Sequence, residues 1–298
     1  MKIIKPTFEI WFQKSSVNGI YQQIERAGRV CYKSEKNMTA DSARPFCERM
    51  MNSKHYAMLE HGSVYLLLSS EVGYEIKEFY SHNRFSHYNE VNGVGYVSTN
   101  LRVLAENNRL DDLKYLVEPS DNNFDKRVTV HFTTQVAITR EFNRHRVNSI
   151  AEQSTRYCNY SKDKFANQIA VNVPTWVAEL EQNNSDILRD DVVMSDNEMS
   201  ALFRKIMTGE ATDIENWLFA NLAAEKTYMN LIANGRKPQE ARVVLPLDVN
   251  TELVHTAFVS DWLHFFDLRA LDKTGAAHPD AKVLALPLYE EFKRKGLI

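Results

Sequence analysis

The chain has 298 residues, of which 44% are hydrophobic and 11% aromatic, and its 36 Lys and Arg against 39 Asp and Glu give a formal charge of −3. This composition is that of an ordinary globular protein; it excludes disordered and fibrous classes, and no apolar run approaches the roughly 18 residues of a membrane helix. Three widely spaced cysteines without a CxxC, and ten glycines without a phosphate-binding loop, predict a cytoplasmic protein with reduced thiols and no Gly-rich nucleotide site.

The first half of the chain alternates between helical and strand patterns. Apolar spacing predicts helices over residues 20–31, 41–53 and 71–80 and a buried strand over 63–69. Residues 104–126 are polar and are predicted to form a surface excursion. Since neither a linker nor an internal repeat interrupts the patterns, a single domain spanning 1–298 is favoured.

The second half begins with the clearest strand pattern, a two-residue alternation over 128–139 that leads directly into residue 140. A second polar excursion is predicted at 178–198. Thr212 and Glu215 then have the spacing of a capping box, which predicts a long helix that ends before Gly235. Further helices are predicted at 239–244, at 256–271 and from 279 onward. Helices with apolar faces around a few strands indicate an α+β fold.

Asn221 and Glu225 interrupt the apolar face of the long helix. We interpret them as buried polar contacts or subunit-interface residues, without a catalytic role.

Basic residues are concentrated between Arg140 and Lys164, where six Lys and Arg face three Asp and Glu, a local charge of +3. The planar guanidinium fork suits phosphate and the carbonyls of uracil- or flavin-like rings. A solvated basic loop with a few surface ion pairs explains the same composition equally well. Nucleic-acid binding is a third interpretation, which the overall acidity disfavours.

Two other kinds of chemistry are tested against the residue pattern. His55, Glu60 and His61 offer metal-ligand atoms, but their spacing does not match HExxH and no third ligand is evident, so no metal is predicted. Ser154 lacks a recognisable Ser-His-Asp arrangement, and a hydroxyl needs a base to react. Binding is therefore favoured over nucleophilic catalysis for Ser154.

The segment Arg144-His145-Arg146, followed after seven residues by Ser154-x-Arg156-Tyr157, resembles the RHR-x7-S-x-R-Y signature of the flavin-dependent thymidylate synthases, the ThyX family. Three further segments follow the order of that family: His55-x4-Glu60-His61, residues 240–247, and residues 264–269 with 278–279 after them. The match covers about residues 20–290, with 104–126 and 178–198 as insertions. The thymidylate synthases that use a cysteine are not resembled, because Cys158 lacks the Pro-Cys-His context.

The resemblance implies an α+β fold with helices packed around a central, largely antiparallel sheet, and a homotetramer with active sites at subunit interfaces. It also implies noncovalent FAD that accepts a hydride from NADPH, and methylenetetrahydrofolate that donates carbon to dUMP, giving dTMP. Neither a membrane nor a nucleic acid is expected as a partner.

The resemblance also assigns residues. Arg269 is the expected catalytic residue, because it matches an arginine that favours ionisation at N3 of the uracil. Residues 152–156 are expected to line the dUMP phosphate and sugar from a neighbouring subunit, and His55 is expected on the flavin and folate side, supported by Glu60 and His61. The implied dUMP-binding set is Glu141, Arg144, Glu152, Gln153, Ser154, Thr155, Arg156, Arg242 and Arg269, and the implied FAD-binding set is His55, Arg144, His145, Arg146, Glu152 and His264.

Three positions depart from the family pattern. Glu141 stands where many relatives carry Gln, Phe258-Val259-Ser260 stands where they often carry Asn-x-Arg for the adenine end of FAD, and Ala57 replaces a hydroxyl residue that often contacts FAD. These changes are expected to affect the binding of FAD more than the chemistry at dUMP, so activity is expected to remain. The alternative is a nucleotide- or RNA-binding protein that has lost flavin chemistry.

Overall fold

The chain forms two antiparallel sheets, and the larger one packs against the C-terminal helices that begin at residues 259 and 279. The computed structural model describes residues 1–120, 122–181 and 191–298. In these ranges the strands are β1 Lys2–Ile4, β2 Thr7–Trp11, β3 Ser63–Leu68, β4 His87–Val91, β5 Val94–Asn100, β6 Arg127–Gln135, β7 Ser149–Glu152, β8 Ala170–Asn172 and β9 Asn250–Phe258. Antiparallel pairing orders four of them β2-β6-β9-β7, and a second antiparallel sheet has the order β3-β5-β4. Strands β1 and β8 form a short parallel pair.

Helices surround these sheets, so the predicted α+β class with largely antiparallel pairing is confirmed. They are α1 Val17–Val30, α2 Ala43–Asn52, α3 Tyr74–His82, α4 Leu101–Glu106, α5 Val136–Phe142, α6 Thr175–Glu181, α7 Asp196–Thr208, α8 Asp213–Ala233, α9 Pro238–Ala241, α10 Val259–Arg269 and α11 Pro279–Arg294. No helix in the described ranges has the length and apolarity needed to cross a membrane.

The capping-box prediction for α8 is confirmed. Thr212 Oγ1 accepts a hydrogen bond from the Glu215 amide at 3.2 Å, and Glu215 Oε2 accepts from the Thr212 amide at 2.9 Å. Asn221 donates to the Trp217 carbonyl at 2.9 Å, while Glu225 pairs with the N-terminal amine of Met1 at 2.9 Å. Both polar interruptions of α8 therefore make contacts within the chain; Asn221 is buried, whereas Glu225 is only half-buried.

The strand predicted over 128–139 is correct as far as Gln135 and wrong beyond it, because Val136 begins α5. Ile138 and Phe142 are fully buried and lie four residues apart, which places both on one helical face. Val136 and Ile138 are apolar and two residues apart, so they continue the alternation of the strand although they lie in a helix. A short helix therefore separates β6 from the arginine-rich segment.

The helix predicted over 256–271 is wrong at its start, because residues 250–258 form β9, the strand between β6 and β7. Eight of its nine residues are buried. A strand covered on both faces loses the apolar–polar alternation by which strands are recognised, so the pattern gave no strand signal. The helix begins only at Val259.

The two predicted excursions have different outcomes. Within 104–126, a 3₁₀ turn at Leu110–Tyr115 packs inward, and Tyr80 donates to the buried carboxylate of Asp112 at 2.9 Å. This part is not a simple surface loop. Within 178–198, residues 182–190 lie outside the described residues, and α6 and α7 occupy the flanks.

Candidate active site

The Arg144-His145-Arg146 motif forms the turn between α5 and β7. His145 points inward and is 6% exposed, whereas Arg144 and Arg146 are exposed and Val147 is 77% exposed. Within the described parts of the chain, neither arginine side chain makes a hydrogen bond or an ion pair. The turn therefore presents two uncompensated guanidinium groups beside an exposed apolar side chain.

Four of the predicted site residues come together at the end of α10. Arg269 Nη1 donates to Glu141 Oε2 at 2.6 Å, Nη2 donates to the Glu141 carbonyl at 2.9 Å, and Nε donates to His145 Nε2 at 3.4 Å. The His264 ring lies 5.8 Å from the His145 ring, centroid to centroid. Glu141 and Arg269 are 128 positions apart in sequence, so the fold joins two separate motifs.

His145 is held in its neutral form. Burial, and then the nearby Arg269 and His264, lower the pKa of His145 to about 4. A neutral imidazole has one nitrogen that donates and one that accepts, and Nε2 accepts from Arg269 here. We therefore assign the ring hydrogen to Nδ1. His145 orients the guanidinium without adding positive charge.

The loop after β7 is fixed by contacts with three other elements. Glu152 accepts from Thr139 Oγ1 at 2.7 Å and from Asn143 Nδ2 at 3.1 Å. The amide of the buried Gln153 donates to a β9 carbonyl at 2.8 Å, and the amide of Ser154 donates to the Cys31 carbonyl at the end of α1 at 2.9 Å. The backbone that carries Ser154 is thus positioned by contacts within the chain.

A second grouping joins this loop to the 240–247 motif. Arg242 Nη1 donates to Thr155 Oγ1 at 3.2 Å, and the Arg156 amide donates to Ser154 Oγ at 3.3 Å. Arg156 and Arg242 are exposed. In the described ranges no histidine or carboxylate hydrogen-bonds Ser154 Oγ, so no base is positioned to activate it. The grouping can bind an anion with two guanidinium groups and two hydroxyls.

A cavity of about 910 Å³ lies beside the turn of residues 144–146, which we call the arginine turn. Arg102 on its wall pairs with Glu60 at 2.5 Å and with Glu106 at 2.9 Å, and the half-buried Arg127 donates to the Glu60 carbonyl at 2.8 Å. The side chains that line it and bear on ligand binding are Glu60, Arg84, His87, Arg102, Glu106, Arg127, Arg146, Asn148, Ser149, Phe258 and Asp261. Of the predicted FAD set, Arg146 lies here.

Residues 258–260 depart from the family pattern, and Phe258 forms part of the wall of this cavity. The Phe258 ring stacks on the His87 imidazole with centroids 3.8 Å apart and planes 8° apart. Asp125 holds the stack, because its Oδ2 lies 2.6 Å from His87 Nδ1 and accepts from Ser260 Oγ at 3.1 Å. The sequence reasoning missed His87 and Asp125, and no motif or spacing marks them.

A smaller cavity of about 460 Å³ contains His55 and Ala57, together with Cys31 and Tyr32. Arg102 and Glu106 line both cavities, so the two are adjacent.

His61 lies away from both cavity walls, where Nδ1 is 2.8 Å from Thr256 Oγ1 of β9. Burial is the main cause that lowers the pKa of His61 to about 3, so the ring is neutral. In the ranges that the structure describes, no cluster of three or more His, Cys, Asp or Glu side chains is suited to a metal ion.

Residues 126–295 match the family model Thy1, described as thymidylate synthase complementing protein. The chain belongs to this family. The matched region is more than half of the chain and contains the arginine turn, the loop 152–156, Arg242 and Arg269. The resemblance to the flavin-dependent thymidylate synthases is thereby confirmed.

Solved structures of a UMP/dUMP methylase, PolB from Streptomyces cacaoi, are distantly similar. The form bound with 5-Br dUMP has a TM-score of 0.40 at 17% identity, over 98% of this chain and 93% of that chain. The form bound with 5-Br UMP has a TM-score of 0.42 at 16% identity, over 98% and 91%. No curated protein sequence matches the chain significantly.

Proposed function

We propose that this Thy1-family chain is a flavin-dependent thymidylate synthase that converts dUMP to dTMP, with methylenetetrahydrofolate as carbon donor and FAD reduced by NADPH as hydride source. One observation carries the proposal beyond family membership: separate motifs meet in space. Arg269 contacts Glu141 and His145, and Arg242 contacts Thr155. Because cofactors perform the hydride and one-carbon steps, the protein has to bind and orient flat ligands, which these side chains suit.

The larger cavity fits FAD by its size and by its unpaired groups. Its volume of about 910 Å³ is near the upper end for ligand pockets. Arg127 Nε and Asn148 Oδ1 on its wall are buried without a hydrogen-bond partner, and such groups call for a ligand or water. Arg84 and Arg146 would hold phosphates, and the His87–Phe258 stack offers an aromatic surface in place of Asn-x-Arg. When bound, FAD supplies the hydride chemistry.

For dUMP, we assign the phosphate to Arg156 and Arg242 with the hydroxyls of Ser154 and Thr155. The rigid loop makes this a preorganised anion site, since Ser154 is fixed by the Cys31 carbonyl. Arg269 is assigned to the uracil ring, because neutral His145 and Glu141 hold its guanidinium in one orientation.

The proposal includes a homotetramer with active sites between subunits. Arg144 and Arg146 are exposed without partners, and Val147 between them and β7 is 77% exposed. Exposed apolar and arginine side chains are typical of interface surfaces. A neighbouring subunit would complete the binding of ligands at this turn.

The test is the absorption spectrum of the purified protein together with oxidation of NADPH. A bound-flavin spectrum, and NADPH oxidation that depends on both dUMP and methylenetetrahydrofolate, are the expected results. A colourless protein that cannot be reconstituted with FAD would overturn the proposal. Retained dUMP or RNA binding by that colourless protein would establish the alternative of a nucleotide- or RNA-binding protein.

A further inference from the structure

A largely buried carboxylate on β9 has two polar partners, and the proposed function assigns a role to none of the three. Lys33 Nζ donates to Glu252 Oε1, and His131 Nε2 lies 3.0 Å from Glu252 Oε2. The Glu252 side chain is only 11% exposed. Burial raises the pKa of Glu252, but the hydrogen bonds of His131 and Lys33 outweigh burial, so the pKa is lowered on balance. Glu252 is therefore a carboxylate that pairs with Lys33.

This ion pair joins the two segments that hold the loop 152–156. The amide of Gln153 donates to the Glu252 carbonyl at 2.8 Å, and the amide of Ser154 donates to the Cys31 carbonyl at 2.9 Å. Cys31 lies two residues before Lys33, which the ion pair fastens to Glu252 across 219 positions of sequence. Consecutive amides of the loop are thus held by Glu252 itself and by the turn that the Glu252 side chain holds.

The turn of residues 31–33 depends on contacts with the rest of the chain. Lys33 has a φ of +49°, in the left-handed region that is unfavourable for a side chain other than glycine. Such a conformation persists only where surrounding contacts hold it. Lys164 donates to the Tyr32 carbonyl at 2.9 Å from an exposed position, whereas the ion pair with Glu252 is largely shielded from water. The ion pair is therefore the stronger of these two contacts on the turn.

We propose that Glu252 is a positioning residue for the anion site of the loop 152–156: by pairing with Lys33 it fixes the Cys31 carbonyl, and thereby the backbone that carries the hydroxyls of Ser154 and Thr155. This role rests on the proposed function, which places the phosphate of dUMP at these hydroxyls. Glu252 acts through Lys33 and does not bind the phosphate, which a carboxylate would repel. The loop then binds phosphate without first having to be ordered.

Direct attraction between the Lys33 ammonium group and the phosphate is the competing explanation for any effect of this ion pair on dUMP. The two explanations predict opposite results for Glu252→Gln. Loss of the Glu252 charge leaves Lys33 with the more distant Glu35, at 3.6 Å, so a direct attraction to the phosphate would become stronger and dUMP would bind more tightly. Loss of positioning would weaken dUMP binding instead.

The experiment measures the binding of dUMP and of deoxyuridine, which lacks the phosphate, to the intact protein by titration calorimetry. Glu252→Gln should weaken dUMP binding by about three- to tenfold and change deoxyuridine binding by less than about twofold, since only the phosphate site loses its preorganisation. Lys33→Met should have the same effect, whereas Lys33→Arg keeps the ion pair and should stay within about twofold of wild type. Lys205→Met, which removes a pair with Glu215 between α7 and α8, is the control.

A second measurement reports on the loop itself, without any ligand. Hydrogen exchange, followed by mass spectrometry on peptides that contain residues 153–155, should be faster in Glu252→Gln and Lys33→Met than in wild type, because the Cys31 carbonyl no longer holds the Ser154 amide in place. Peptides from β6 should exchange at the wild-type rate, which a general loss of stability would not allow. Thermal unfolding of each variant establishes that it is folded.

The results distinguish failure of this role from failure of the proposed function. If wild type does not bind dUMP, or binds dUMP no better than deoxyuridine, the proposed phosphate site fails and the role of Glu252 fails with it. If wild type prefers dUMP but Glu252→Gln binds dUMP at least as tightly as wild type, the role of Glu252 alone is overturned. Equal losses for dUMP and deoxyuridine, or unchanged exchange at residues 153–155, would also overturn it.

Discussion

Replacing Arg269 with alanine should separate stability from catalysis. The change removes two good hydrogen bonds to Glu141, at 2.6 and 2.9 Å, and a longer one to His145. Because the Glu141 side chain is 42% exposed, its carboxylate can be rehydrated, so the free energy of unfolding should fall by only about 1–3 kcal/mol. With Arg269 assigned to the uracil ring as proposed, loss of this charged donor should lower turnover by about 10²–10³ or more.

The assay for Arg269→Ala combines urea unfolding, the flavin spectrum and dTMP formation. The variant should remain folded and retain flavin, because no wall of the larger cavity includes Arg269. The pKa of His145 should rise, since the guanidinium is the second cause after burial that lowers it. Arg294→Ala, which removes an exposed arginine paired with Glu291, is the matched control. Methylation at the normal rate in Arg269→Ala would contradict the assignment of Arg269 to the uracil ring.

Three further predictions concern binding and pH. Ser154→Ala should weaken dUMP binding by about three- to tenfold and leave some activity, since one hydroxyl donor is lost; complete loss of activity with unchanged dUMP affinity would revive a nucleophilic role. Arg146→Ala should lower the affinity for FAD at least about tenfold in a flavin titration while dUMP binding changes less, and equal losses would contradict the cavity assignment. Burial lowers the pKa of His61 and of His255 to about 3 from an ordinary 6.5, so both rings are neutral in the folded protein, and the free energy of unfolding should be highest above pH 6.5 and fall by roughly 1 kcal/mol per pH unit per histidine as the pH drops from 6.5 towards 3. Urea unfolding at pH 7 and pH 5 should show this difference in the free energy of unfolding. In His255→Gln the dependence of that free energy on pH should correspond to about one proton fewer, and a free energy of unfolding that does not change between pH 7 and pH 5 would contradict the prediction.

Local signals predicted the parts of the fold that local interactions determine. The box formed by Thr212 and Glu215 lies within one helical turn, so spacing alone located the start of α8. Strand β9 was missed for the opposite reason: it lies between β6 and β7 in the sheet and is buried on both faces, so its sequence carries no alternation.

The candidate site also has one part that the sequence predicts and another part that it does not. The arginine turn and the loop 152–156 were recognisable because their residues are close in sequence. The pairing of Glu141 with Arg269 spans 128 positions, and the stack of His87 on Phe258 joins β4 to β9 across the fold. Such contacts depend on how the sheets pack against each other, so spacing along the chain does not encode them.

The most direct test of the proposed activity is to follow conversion of dUMP by the purified, flavin-loaded protein supplied with methylenetetrahydrofolate and NADPH. The proposed activity predicts dTMP formed in equal amount to the NADPH oxidised, with no dTMP when dUMP, folate or flavin is omitted. A folded, flavin-loaded protein that binds dUMP but forms no dTMP would contradict it.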